Sequence, residues 1–193
     1  MFGGFAQKCG RFSLAYQKTD REYDEYFKAI MQAQKKAKPR YNIAPTQTSP
    51  IIRVRDGEPV CEEVRWGLYE NWWTDVLEIE GIRTNARSEK AFNGGLFKNS
   101  ARKWRCVVLA TGWYEWKAVT GRKTSDPFTF GMKDYSIMMF AGIWTSKLLD
   151  KEVYEDNFAI IPYKGRDLMA YQVGPTVNSV KNAGKECLEP FEA

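Results

Sequence analysis

The feature that most narrows the fold is a series of short runs rich in β-branched and aromatic residues, each bounded by Gly, Pro or Asp. From Pro50 onward these are "PIIRVR", "CEEVRWGLY", "WRCVVLATGWYEW", "PFTFGM", "SIMMFAGIW" and "NFAIIP". Composition and punctuation of this kind predict strands, and together they predict a largely antiparallel β core. Helix is expected at the edges. Thr19-Asp20-Arg21-Glu22 reads as a capping box, after which Tyr23, Tyr26, Phe27, Ile30 and Gln34 recur at helical spacing to about Lys36. The "KKAKP" stretch ends that helix, because basic residues complement its C-terminal dipole and Pro39 forbids continuation. A loop, "RYNIAPTQTSP", follows, and a second short helix is expected from Ser88 to Phe92. With no repeat, linker or low-complexity segment, the 193 residues read as one α+β domain with peripheral helices.

No apolar run approaches the roughly 20 residues needed to span a bilayer. Met1-Phe2-Gly3-Gly4-Phe5 has neither the basic start nor the apolar stretch of a signal peptide, so the chain is expected to be soluble and cytoplasmic. Cys9, Cys61, Cys106 and Cys187 lie far apart with no CxxC pair, which gives no support to a metal cluster, and no cofactor is expected. The chain contains no histidine, which removes Ser-His-Asp and Cys-His catalysis. Acid-base work must fall to carboxylates, amines or tyrosines.

Lys and Arg outnumber Asp and Glu by 29 to 24, a mild excess that permits contact with a polyanion. Seven tryptophans are the more unusual total. Aromatic rings interleaved with arginines suit single-stranded nucleic acid, whose bases stack while its phosphates are neutralised, although rings of this kind also fill cores. In "ENWWTD", Trp72 and Trp73 stand between polar residues and could wedge between bases, or one of them could pack inside.

Taken alone, Cys9 reads as a small buried hydrophobe. Glu115, in "ATGWYEW", shares its facing with Trp113 and Thr111. A carboxylate on an aromatic strand is costly to bury, so it is either a salt-bridged structural residue or a proton carrier with a raised pKa. In "RTNARSE", Asn85 and Arg87 share a facing if the segment is extended, and could address one ligand; a solvated turn is the alternative.

Taken in order, "CGRFSL" at Cys9, "RYNIAPTQ" at Arg40, "RWGL" at Arg65, "NARSE" at Asn85, "RCVVLATGWYEW" at Arg105, "FAGIW" at Phe140 and "VNSVKNAGKECLEP" at Val177 resemble the SRAP family, the SOS response-associated peptidases. The resemblance spans Cys9 to Pro190. It implies a compact α+β fold around a barrel-like core, in a protein that crosslinks itself to abasic sites in single-stranded DNA; a monomer without metal is expected. It implies that residues 9–193 form the domain and that Cys9 takes the place of the family's N-terminal nucleophile, so residues 1–8 are either a propeptide released to free Cys9 or a retained segment that leaves Cys9 internal and unable to form a thiazolidine. Asn85 and Glu115 would complete the catalytic pocket, Arg11 and Arg87 would hold DNA, Trp72 and Trp73 would lie near the separated bases, and Pro45 would shape the pocket wall.

The chain also departs from the family. Where relatives carry a His-x-Arg-Met-Pro segment, "PYKGRDLMAYQVGPT" stands, with Arg166 near the missing histidine, and Thr111 replaces the aspartate of a usual Ala-Asp-Gly. Two rival readings follow: a DNA binder that has lost its chemistry, and a cysteine hydrolase of another substrate class.

Overall fold

The computed structural model describes residues 9–15, 39–70, 73, 80–93, 95–133, 136–150, 153–162 and 168–191. The expected leader at 1–8, the expected helix from Thr19, Trp72 and Arg166 lie outside them.

Among the described residues ten strands form two bodies, and the chain passes back and forth between them. β1 (Arg11–Leu14) and β2 (Arg40–Ile43) belong to a sheet, while β3 (Thr48–Arg55), β4 (Glu58–Trp66) and β5 (Arg105–Ala110) belong to a barrel. β6 (Gly112–Ala118) and β7 (Ser125–Met132) return to the sheet, β8 (Met138–Asp150) and β9 (Val153–Ile160) to the barrel, and β10 (Leu168–Gln172) ends at the sheet edge. The sheet order is β10-β7-β6-β1-β2, antiparallel throughout. The barrel closes in the order β3-β4-β9-β8-β5, with β4 and β9 its one parallel pair. Two short helices, α1 (Ser88–Ala91) and α2 (Lys98–Lys103), lead into β5.

The α+β, barrel-containing architecture is therefore the one expected, with a division inside it that the strand runs did not announce. "WRCVVLATGWYEW" is two strands in different bodies, β5 in the barrel and β6 in the sheet, broken at Thr111. The Thr111 amide donates to the Ser13 carbonyl at 2.8 Å, and its hydroxyl accepts from the Ala15 amide at 3.0 Å. A threonine here satisfies the backbone of β1 where the chain changes body.

The two bodies are joined by one hydrophobic core. Phe12, Ile43, Trp113 and Phe130 from the sheet meet Ile51, Val64, Trp66, Val108, Phe140 and Phe158 from the barrel. Phe12 and Trp66 meet edge to face at 5.1 Å, and Trp113 stacks on Phe130 at 5.1 Å. Full burial of each such side chain contributes about 1.5–3 kcal/mol. The opposite face of the sheet is covered by the C-terminal segment, where Val173, Val177 and Cys187 pack on Tyr114. Alternation along β6 thus sends Trp113 and Glu115 to the barrel side and Tyr114 to the other. Among the described residues no helix is long and apolar enough to cross a membrane.

Candidate active site

The seam between sheet and barrel is where the sequence-predicted residues meet. Cys9 immediately precedes β1 and is buried at 4% exposure, in the same core cluster as Phe12 and Trp113. Its thiol donates a weak hydrogen bond to the Arg11 carbonyl at 3.6 Å, and its own carbonyl accepts from Asn85 Nδ2 at 2.9 Å. Cys9 belongs to the sheet side of the seam and Asn85 to the barrel side.

Asn85 is held by backbone rather than by side-chain packing. It forms an isolated parallel bridge with Ile160 at the end of β9, the Ile160 amide donating to Thr84 O at 3.0 Å and the Ala86 amide to Ile160 O at 2.8 Å. Trp66, at the end of β4, donates its indole N–H to the same Thr84 carbonyl at 2.9 Å. The amide nitrogen of Asn85 is satisfied by Cys9 and by the Thr84 hydroxyl at 3.0 Å, whereas its buried Oδ1 has no hydrogen-bond partner among the described residues. A buried acceptor left open beside a cysteine backbone is an invitation to a donor.

Glu115 is buried at 6% exposure on the barrel-facing side of β6, with Phe128 as its cross-strand neighbour. Burial first, and then the nearby negative charge of Glu115, push the Cys9 thiol far above the usual cysteine range. Both effects disfavour the thiolate, so the sulfur is a protonated thiol at neutral pH.

The remaining predicted residues part company. Arg87 is exposed at the start of α1, its carbonyl accepting from the Lys90 and Ala91 amides at 2.9 Å. Arg11 is engaged inward instead. It donates to Val177 O at 2.7 Å, Asn178 O at 3.1 Å and Asn42 Oδ1 at 3.0 Å, and stands over the Trp116 ring at 5.8 Å. The guanidinium that sequence offered for phosphate therefore ties the C-terminal segment to the sheet. Trp73 is fully buried, 6.2 Å from the Tyr69 ring and 5.9 Å from Phe97, so it packs inside. Pro45 is half-buried in a turn where Thr46 takes φ 74° and donates its amide to Trp66 O at 2.8 Å, placing it near the strand end that supports Thr84.

Among the described residues no three His, Cys, Asp or Glu side chains converge as a metal site. What sequence reasoning missed is the support beneath the pocket: Trp66 and Ile160 position Asn85, and only the Trp in "RWGL" was a visible signal.

The chain matches the family model for SOS response associated peptidase (SRAP) over residues 8–172. It is 28% identical over 225 aligned positions to abasic site processing protein YoaM of Bacillus subtilis, covering 94% of this chain and 97% of that protein. An abasic site processing protein of Saccharomyces cerevisiae is 35% identical over 108 residues, which are 55% of this chain and 28% of the yeast protein. Abasic site processing protein HMCES of Mus musculus is 29% identical over 139 residues, covering 66% of this chain and 39% of its own length. In fold, a crystal structure of a Bacteroides thetaiotaomicron protein is similar with a TM-score of 0.69 at 18% identity, covering 95% of this chain and all of that one. A phage-related protein of Bordetella bronchiseptica is similar with a TM-score of 0.59 at 22% identity, covering 86% and 78%.

Proposed function

Because the chain belongs to the SRAP family, we propose that it processes abasic sites in single-stranded DNA by crosslinking to them through Cys9, after residues 1–8 are released. The observation that carries this reading is the meeting of Cys9, Asn85 and Glu115 at one buried seam. Relatives named as abasic site processing proteins support the substrate.

The chemistry follows from one residue carrying two nucleophiles. Hydrolysis of the Lys8–Cys9 bond frees an α-amine whose pKa near 7.7 leaves it far more often neutral at pH 7 than a lysine near 10.4. The amine adds to the aldehyde carbon of the ring-opened abasic site, and the carbinolamine loses one water to give an imine. The thiol then adds to the imine carbon, its proton passing to the imine nitrogen, and a five-membered thiazolidine closes with the advantage of proximity. Glu115 protonates the departing hydroxyl and then accepts the thiol proton. Asn85 fixes the Cys9 carbonyl, and its open Oδ1 accepts from the freed amine. Arg87, exposed beside Asn85, neutralises a flanking phosphate.

The test is a denaturing-gel time course with matched abasic and intact single strands, preceded by an intact mass. Active material begins at Cys9, and Glu115→Gln slows adduct formation roughly 10²-fold with noncovalent binding retained. Met1 or Phe2 on all active material overturns the leader assignment. Equal rates for parent and Glu115→Gln make Glu115 structural. No adduct from protein beginning at Cys9 replaces this reading with that of a noncovalent DNA binder.

A further inference from the structure

The side of the sheet turned away from Cys9 and Glu115 carries a cavity of about 360 Å³. Its floor is made by β6, β7 and β10, and its roof by the segment from Lys185 to Pro190. The roof is fixed. Val173 and Pro190 form a β-bridge, the Phe191 amide donates to Gln172 O at 3.0 Å, and the Tyr171 hydroxyl donates to Leu188 O at 2.9 Å. The volume is at the lower end of the range typical for small-molecule pockets, about 300–1,000 Å³.

Two glycines leave the floor bare. Gly112 and Gly131 are cross-strand partners, and a Cβ on Gly112 would meet Phe130 O at 2.9 Å while one on Gly131 would meet Thr111 O at 3.0 Å. The strands approach too closely there for any side chain, so the floor is flat backbone. Around it stand three hydroxyls. Ser13 Oγ and Thr111 Oγ1 share a hydrogen bond at 3.2 Å. Thr129 is only 3% exposed and lines the cavity, with its hydroxyl beside the bare floor at Gly112. A hydroxyl that faces a cavity can pair with a bound donor or acceptor in place of water.

We propose that this cavity is a second binding site, on the face opposite the reactive cysteine, and that it takes a nucleobase. The strands and turns of the floor bring no charged side chain to the lining but do bring the hydroxyls of Ser13, Thr111 and Thr129, which both donate and accept and so suit a neutral edge with adjacent donors and acceptors. The bare backbone at Gly112 and Gly131, with Met169 and Tyr171 lining the same cavity, lets a planar ring lie against the floor. Charge stands at the mouth, where exposed Lys185 and Glu189 can meet the sugar and its phosphate. The base can arrive as a free nucleoside or as an unstacked base of a strand, and the two sources are separable by experiment.

The experiment uses the full chain with 13C-labelled methionine methyls, titrated with each deoxynucleoside and separately with short single strands. The Met169 methyl shifts on addition of at least one deoxynucleoside, or of the strands alone if the base must be delivered by DNA. Thr129→Val, which keeps shape and strand propensity while removing the hydroxyl, weakens that binding roughly 3- to 10-fold, the scale of one neutral hydrogen bond. Adduct formation by Cys9, read in parallel, is unchanged in Thr129→Val, so failure of the crosslinking reading does not masquerade as failure of this one. An unmoved Met169 methyl with every nucleoside and strand at saturating millimolar concentration overturns the proposal. So does a Thr129→Val protein that binds as the parent does.

Discussion

Arg11 and Arg87 carry the same guanidinium into opposite surroundings. Arg11 is half-buried against two carbonyls and an amide oxygen, and burial lowers its pKa, whereas Arg87 is exposed. Their substitutions should therefore read out on different axes. Arg87→Ala is expected to shrink the salt slope of single-strand binding by about one unit, the signature of one lost phosphate contact. Arg11→Ala should leave that slope unchanged and cost about 2 kcal/mol in urea denaturation, since charge-assisted hydrogen bonds into a packed segment are lost. A shifted slope in Arg11→Ala would return that residue to the DNA surface.

At the scale of elements, the far end of the barrel is closed by charge. Arg53 of β3, 3% exposed, donates Nε to Glu62 of β4 at 2.6 Å and NH2 to Asp156 of β9, with its guanidinium over the Trp144 ring of β8 at 4.0 Å. Arg55 reaches the same two carboxylates at 2.9 Å each. Burial by itself would raise both carboxyl groups, but hydrogen bonds and the two arginines outweigh it for Glu62, and Ser146 adds to them for Asp156, leaving both below their usual values. Depressed carboxylates contribute stability at pH above their unfolded values, and that contribution is lost as pH falls through the folded ones. Urea midpoints should thus decline below about pH 4, the ordinary carboxylate range. In Arg53→Met the acid decline should flatten, alongside a loss of about 3 kcal/mol at neutral pH from unpairing a buried network. An acid limb of equal steepness in both proteins would place the acid-sensitive groups elsewhere. None of this network was legible in sequence: "PIIRVR" gives a strand, yet only closure of the barrel brings Arg53 to Asp156, 103 residues away. Local runs marked β3 through β9 and the helix at Ser88 well, because strand composition and turn punctuation are local. Registers, the β4–β9 parallel pair and the change of body at Thr111 are products of long-range packing. The site behaved likewise: Cys9, Asn85 and Glu115 were visible as motif residues, whereas the inward turn of Arg11 depends on a C-terminal segment whose position no local pattern encodes.

Across the whole molecule, the four cysteines sort by burial. Cys9, Cys106 and Cys187 are buried, while Cys61 is half-exposed on β4. Burial raises the thiols of Cys9 and Cys106, the latter to about 12. In the full chain iodoacetamide at mildly alkaline pH should label Cys61 first, with Cys9 and Cys106 modified only as the protein opens. Peptide mapping that finds Cys9 labelled as fast as Cys61 would show that the seam does not shield it. Burial of that sulfur also bears on the order of steps in the proposed reaction. A thiol without its negative charge ignores peroxides and stray alkylators, so in the reading proposed above the amine must commit first and the sulfur acts only once an imine lies within reach. In that reading the seam would act as a safety catch, keeping the sulfur idle until an aldehyde has been caught by the amine.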